Sequence, residues 1–278
     1  EQGKWSVLSD DVNIDGQTWV LTGAGGSVGR CLVSALRARV GTLVLVDQTG
    51  GEVDGVPIEQ VDIRDRRAVR GILEGAHGVV HLAAISDEAD FDDLVETNVV
   101  GTRNVLDGAR LAGAARVVLA SSNRVTGFWP SSETVGPDAP FRPDGFYGVS
   151  KVACEALGRL YADKFDVEVV SVRIGTLKDQ PADVRHLSTW LSQRDCAAAF
   201  LAAMTAPIDR YAAFYAISRN TRRWWTLAEG EALGFHPVDD AETHAGRFAG
   251  EQVPFERQGG AFTDVEFSLS RQRPVSSQ

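Results

Sequence analysis

Short apolar runs separated by amphipathic stretches recur over the first 220 residues or so, and their spacing predicts an alternation of buried strands and helices. Thr18-Trp-Val-Leu-Thr is a β-rich apolar run that stops at Gly23-Ala-Gly-Gly-Ser-Val-Gly29 and passes into an amphipathic helix from Arg30 to Val40. Further strands are predicted at Thr42 to Asp47, Val56 to Val61 and Gly78-Val-Val-His-Leu-Ala-Ala, and, after a long helix from Phe91 to Ala112, at Ala115 to Ala120. Residues 123–146 are rich in Pro, Gly and Ser and read as a long loop, which inside a compact domain is usually functional. Then follow a helix opening near Tyr147, a strand from Val167 to Ile174, a loop from Gly175 to Thr189, a helix from Ser192 to Thr205 and a strand from Ala212 to Ile217. From Thr226 the helical signal is short, and beyond Gly246 the chain is polar and weakly periodic. Strand and helix in this order predict an α/β fold, a doubly wound parallel sheet of the Rossmann-like kind joined by right-handed crossovers, with a small C-terminal lobe on the substrate side. Residues 1–16 read as a polar lead-in. Residues 17–278 read as one domain, with substrate elements from 123–146, 175–190 and 218–278.

Strand, glycine turn and helix in that sequence is the order that binds a dinucleotide. Gly23 allows the tight turn, Gly26 lets a pyrophosphate approach the backbone, and Gly29 lets the helix pack closely on the strand, with the phosphates at the positive helix end. Asp47 ends the second strand 18 residues beyond Gly29 and is placed to accept hydrogen bonds from an adenosine ribose. A carboxylate there favours NAD over NADP, because it repels a 2′-phosphate. Arg64, Arg66 and Arg67 follow the third strand and read as solvated helix residues. Asp62 at that strand's tip fits a contact to the adenine amino group, and equally well a helix cap by Asp62 or Asp65.

In a parallel sheet, ligand residues gather at the carboxyl ends of the strands. Here the fourth strand region ends at Ser86, the fifth at Ser121-Ser122-Asn123 and the sixth at Thr176, with Arg185 in the loop beyond. Tyr147 and Lys151 stand four positions apart on one helical face. A free tyrosine has a pKa of about 10, and a nearby ammonium favours the phenolate, so the pair can accept a proton from a sugar or alcohol hydroxyl. Ser122 would hold the reacting oxygen, while Ser121 packs under the sheet. Asn98 lies on the helix behind and is placed to order water or backbone near Lys151. Trp224 and Trp225 either line a pocket or anchor the C-terminal lobe. As a loop residue alone, Arg185 reads as a surface ion pair.

Composition narrows the partners. Hydrophobic residues make up 44% and charged residues 24% of 278, enough for a substantial core. A net charge of −10 argues against nucleic acid or an anionic membrane as the main partner. Cys31, Cys154 and Cys196 are odd in number, lack metal spacing and fall in predicted helices, so they read as reduced structural thiols. The five histidines are scattered without the spacing of a metal site. No apolar stretch approaches the ~20 residues a bilayer requires and no signal peptide is visible, so a cytoplasmic enzyme is expected. The first residue is Glu1, not Met, and the numbering is expected to begin inside a longer natural chain.

The glycine string with His81-Leu-Ala-Ala, Asn98-Val-Val-Gly-Thr, Ser121-Ser-Asn and Tyr147-Gly-Val-Ser-Lys resembles the extended short-chain dehydrogenase/reductase superfamily over about residues 17–220. A narrower resemblance, to uronate dehydrogenases, rests on His81-Leu-Ala-Ala-Ile-Ser86, Ala120-Ser-Ser-Asn123, Gly127-Phe-Trp-Pro130, Arg142-Pro-Asp-Gly-Phe-Tyr-Gly-Val-Ser-Lys151, Val172-Arg-Ile-Gly175, Arg185-His-Leu-Ser-Thr-Trp-Leu-Ser192, Trp224-Trp225 and Gln258-Gly-Gly-Ala-Phe262. It implies NAD-dependent oxidation of D-glucuronate or D-galacturonate at the anomeric carbon to an aldarolactone. The implied catalytic set is Ser122, Tyr147 and Lys151. The implied cofactor shell is Gly23, Gly26, Ser27, Val28, Gly29, Asp47, Asp62, Ile63, Leu82, Ala83, Ala84 and Asn98, with Tyr147 and Lys151. The implied sugar contacts are Ser86, Ser122, Asn123, Arg124, Tyr147, Thr176 and Arg185, the last gripping the uronate carboxylate. A homodimer through the helices near 91–112 and 147–164 is implied as well.

Two positions depart from that pattern: Arg124 stands where the family has His, and Thr176 where it has Ser. Thr keeps the hydroxyl. Arg124 adds a cation that would suit a second anionic group, such as a phosphate. Trp190-Leu-Ser-Gln-Arg-Asp-Cys196 also resembles NAD-dependent glucose-6-phosphate dehydrogenases of the superfamily, which keeps that substrate open. A nucleotide-sugar epimerase or dehydratase is a further alternative, though only 127 residues follow Lys151, little for a nucleotide-binding lobe. A non-catalytic dinucleotide sensor is a third, opposed by the intact Ser122, Tyr147 and Lys151.

Overall fold

The computed structural model describes residues 13–251 and 255–273. Residues 1–12 of the predicted lead-in lie outside them. Ten strands and nine α-helices follow in chain order among the described residues: β1 (Thr18–Thr22), α1 (Ser27–Arg37), β2 (Thr42–Asp47), β3 (Gly51–Val53), β4 (Val56–Gln60), α2 (Arg66–Ile72), β5 (Gly78–His81), α3 (Phe91–Leu94), α4 (Gly101–Ala112), β6 (Arg116–Ser122), α5 (Phe146–Phe165), β7 (Glu168–Ile174), β8 (Thr176–Leu177), α6 (His186–Thr189), β9 (Trp190–Leu191), α7 (Gln193–Thr205), β10 (Tyr211–Ala216), α8 (Ala228–Ala232) and α9 (Val265–Leu269).

Eight strands form one sheet in the order β10-β7-β6-β5-β1-β2-β4-β3, parallel throughout except for β3, which pairs antiparallel with β4 at one edge. The order reverses at β1, so the glycine turn after β1 opens at the switch point where such sheets bind ligands. Val79, Val80, Val117, Val118, Val169 and Val170 are fully buried, because central parallel strands are covered on both faces and must be apolar at every position. Two cores result. One, with Leu21, Leu32, Leu36, Phe200 and Phe214, lies under α1 and α7. The other, with Val20, Val105, Leu106 and Tyr161, lies under α2, α4 and α5.

Several predicted elements are corrected. The edge strand β3 was not expected, because Gly51-Glu-Val is too short and polar to show a period. The strand after Ala76 stops at His81, so Ser86 sits five residues beyond it in a loop. The predicted helix 91–112 is interrupted by a π-helical segment, Val95–Val100, between α3 and α4. Residues 175–189 are not a plain loop: β8 pairs parallel with β9, bracketing α6. Residues 123–126, at the start of the long predicted loop, form a 3₁₀ turn. Trp224 and Trp225 pack with Val135, Tyr215, Ile217 and Leu227 in a separate core, which decides for anchoring over pocket lining.

Candidate active site

A cavity of about 1120 Å³ runs from the glycine turn along the strand ends to the loop after β8. That exceeds the usual small-molecule pocket and suits a large ligand beside a smaller one.

At one end the backbone is shaped for close approach. Gly23 has φ +71°, and a Cβ there would lie 2.6 Å from the nitrogen of Ala83. A Cβ on Gly29 would lie 2.5 Å from the Gly23 carbonyl oxygen, so α1 could not start so near the strand. Gly26 caps α1 without a side chain, which leaves the first N–H groups of the helix free to face an anion. Asp47, at the tip of β2, accepts from the N–H of Gly25 (3.0 Å) and the N–H of Thr49 (3.3 Å), so its carboxylate is fixed at the cavity wall. Asp65 caps α2 by accepting from the N–H groups of Arg67 and Ala68. Asp62 lines the cavity and is gripped by the Arg64 guanidinium, which holds its carboxyl below the usual range and leaves Arg64 engaged.

At the other end stand Ser122, Tyr147 and Lys151, all buried and all on the wall. Alternation along β6 sends its two last serines to opposite faces. Ser121 donates to Glu155 Oε1 (2.5 Å), which is also bound by Arg173; Ser122 Oγ accepts from the N–H of Arg124 (3.2 Å). Lys151 Nζ donates to the carbonyl of Ala120 (2.9 Å) and lies 5.7 Å from the Tyr147 ring centroid. A phenol, an ammonium and a serine hydroxyl thus share one pocket with a backbone built for phosphates.

The two arginines differ sharply. Arg124 is buried and fully engaged: Nε donates to Asp144 Oδ1 (2.7 Å), Nη1 to Asp87 Oδ1 (2.9 Å) and Nη2 to Glu88 Oε2 (3.2 Å), with the Phe262 ring 4.2 Å from its guanidinium. Three carboxylates thus surround its charge, although it lines the cavity as expected. Burial pushes the Asp144 carboxyl upward, against the pull of Arg124. Arg185 is equally buried, yet makes no salt bridge among the described residues; its Nε donates to the carbonyl of Gln258 (2.9 Å), and burial lowers its pKa to about 10. The surface ion pair expected of a loop arginine is therefore absent.

Of the remaining expected site residues, Ser27, Val28, Ile63, Leu82, Ala83, Ala84, Ser86, Asn123 and Thr176 line the cavity; Thr176 shares a 2.8 Å hydrogen bond with Thr189. Asn98 does not. It is fully buried behind the wall, where Oδ1 accepts from the N–H of Ile85 (2.8 Å) and Nδ2 donates to the Ile85 carbonyl (3.0 Å) and Ser150 Oγ (2.9 Å), clamping the loop after β5. Residues 95–100 form the π-helical segment, so Asn98 turns toward that loop. Sequence reasoning missed Glu88 and Asp144, whose role as partners of Arg124 has no local signal, and Phe262, which reaches the wall from the C-terminal segment. Among the described residues no cluster of metal-binding side chains is present and no helix is long and apolar enough to cross a membrane.

Residues 19–178 match the model of the NAD dependent epimerase/dehydratase family. The chain belongs to this family. Within it, the chain is 37% identical over 255 residues to a uronate dehydrogenase of Agrobacterium fabrum, covering 88% of this chain and 96% of that one. An NAD-dependent glucose-6-phosphate dehydrogenase of Haloferax volcanii is 33% identical, with 81% and 94% covered. Among solved structures, a tyrosine-to-alanine mutant of uronate dehydrogenase from Agrobacterium tumefaciens, complexed with NAD, superposes with a TM-score of 0.84 at 36% identity, covering 90% of this chain and 98% of that one. The glycine turn and the Tyr147/Lys151 pair both lie within the matched residues.

Proposed function

We propose that this protein is an NAD-dependent dehydrogenase that oxidises a hexuronate, D-glucuronate or D-galacturonate, at its anomeric carbon to an aldarolactone. The observation that carries the reading is Arg185: a buried guanidinium without a carboxylate partner among the described residues, on the same cavity wall as Tyr147 and Ser122. A buried charge of this kind is costly until an anion fills the site, and a guanidinium fork binds a carboxylate in two places. The occupied Arg124 argues for one anionic group on the substrate, so the hexuronate is preferred to a sugar phosphate.

The uncapped first turn of α1 after Gly26, the Gly23 turn and the fixed Asp47 fit the pyrophosphate and ribose of NAD, with the carboxylate disfavouring NADP. NAD held by these residues would supply the hydride acceptor for the anomeric carbon. Tyr147 takes the anomeric hydroxyl proton, so that the C–O bond becomes a carbonyl as hydride leaves. Ser122 orients that oxygen. Lys151, anchored on the Ala120 carbonyl, places a positive charge beside the ring of Tyr147. Arg185 holds the far end of the sugar, which is the positioning that makes proton and hydride transfer effectively intramolecular.

The test is NADH formation with D-glucuronate, D-galacturonate, D-glucose and glucose 6-phosphate, each repeated with NADP. Turnover of the uronates with NAD is expected. Arg185→Ala should then raise KM for a uronate about 30-fold, the loss of one charge-assisted contact of about 2 kcal/mol, with little change for a neutral sugar. Tyr147→Phe, run alongside, should lower kcat by about 100-fold or more with NAD binding retained. Preference for glucose 6-phosphate, or equal losses on both sugars in the Arg185 variant, would overturn the substrate assignment.

A further inference from the structure

The helix that carries Tyr147 is capped by a residue 58 positions earlier in the chain. Gly145, at the N-cap of α5, has extended backbone and no side chain with which to bond the first turn. Glu88, from the loop after β5, does so instead: Oε1 accepts from the N–H of Phe146 (2.8 Å, |i−j| of 58) and Oε2 from the N–H of Tyr147 (3.2 Å). The Glu88 side chain is fully buried. Gly145 makes room for it, because a Cβ at that position would collide with Glu88 Oε2.

A carboxylate suits the positive end of a helix of 20 residues. Burying a carboxylate without a counter-charge is costly. Arg124 supplies the counter-charge at 3.2 Å, and its guanidinium lies 5.2 Å from the Tyr147 ring centroid. Ser268, on α9, donates to Glu88 Oε1 (2.8 Å), so the C-terminal segment fastens the same carboxylate. Arg124, which also lines the cavity, thus has a structural use in holding Glu88.

We infer, on the reading of Tyr147 as proton acceptor, that Glu88 is a positioning residue for Tyr147 and that Arg124 acts through it. The carboxylate fixes the first turn of α5, and with it the height of the phenol above the strand ends. Arg124 holds that carboxylate in place.

The experiment uses the full chain and two variants, Glu88→Gln and Arg124→Met. Amide hydrogen exchange over residues 145–151 is read by mass spectrometry, because the Phe146 and Tyr147 amides have no acceptor inside the helix and owe their protection to Glu88. Exchange there should accelerate about tenfold in either variant, as expected for losing one charge-assisted hydrogen bond, while β1 and α1 stay as protected as in the wild type. With the uronate that the wild type oxidises, kcat should fall about tenfold, with KM for sugar and NAD within about threefold. The double variant should be no worse than the more impaired single one, because both act through one contact. Unchanged exchange overturns the inference. So does a loss confined to KM, which would make Arg124 a substrate ligand. Should the wild type turn over no uronate, the functional reading fails by itself, and the exchange measurement alone decides the capping role.

Discussion

Arg124, Arg185 and His81 show how little a residue's identity says before its neighbours are known. The two arginines are comparably buried; one is surrounded by Asp87, Glu88 and Asp144, the other faces the cavity without a salt bridge among the described residues. Their sequence surroundings predicted nearly the reverse, because carboxylates 20 and 36 positions away leave no local trace. His81 is a further case. Its ring nitrogens bond Thr22 Oγ1 (2.7 Å) and Thr102 Oγ1 (3.0 Å), and burial, with the charge of Lys151 added, lowers its pKa to about 3. The unfolded chain holds this histidine near its ordinary pKa of about 6.5, so its contribution to stability is complete above that pH and is lost as the pH falls toward 3. At pH 5 about 2 kcal/mol should be gone. Thermal unfolding of the wild type and His81→Gln at pH 7 and pH 5 checks this. The variant should lose less stability between the two pH values than the wild type, and equal losses would remove His81 as the cause.

Elements were legible in the chain wherever they are long and buried on a regular period. The central strands β1, β2, β6 and β7 and the helices α5 and α7 fall within one to three residues of their predicted bounds, because burial on both faces of a parallel sheet leaves apolar runs that polar turns interrupt. The glycine turn belongs to the same class, since its residues are dictated by contacts within a few positions. Gly29→Ala tests it: a Cβ would lie 2.5 Å from the Gly23 oxygen and 2.6 Å from the Ala24 oxygen, both backbone, so α1 must shift away from the turn. Affinity for NAD, measured by titration calorimetry, should weaken at least about tenfold, in keeping with an overpacking cost of 1–3 kcal/mol. Undiminished affinity would mean that the turn does not hold the pyrophosphate. The π-helical segment and the short pair β8 and β9 escaped because one inserted residue or two paired residues barely disturb a hydrophobic period.

At the scale of the whole molecule, the helices α4 and α5 expose large apolar side chains among the described residues. Val100 (38% exposed) precedes α4, Leu111 (46%) lies in it, and Val149 (41%) and Leu160 (46%) lie on α5, with exposed Ala156 between them. Exposed apolar side chains on neighbouring helices suit an association site. We propose a homodimer in which these two helices pack against their copies. Sedimentation at micromolar concentration should give twice the mass of 29.9 kDa, and Leu160→Glu should return the monomer; a wild type that sediments as a monomer would sink the proposal. The sequence by itself determined the layered α/β architecture, the dinucleotide turn and the Tyr147/Lys151 spacing, because each rests on interactions within one strand, turn or helix. Only the tertiary structure decided that Asn98 clamps a loop, that Arg124 meets three carboxylates while Arg185 makes no salt bridge among the described residues, and that Glu88 caps the helix of Tyr147. Those outcomes depend on which polar groups meet across 13 to 73 positions of chain, and burial, which makes each such meeting consequential, is set by the packing of the whole domain.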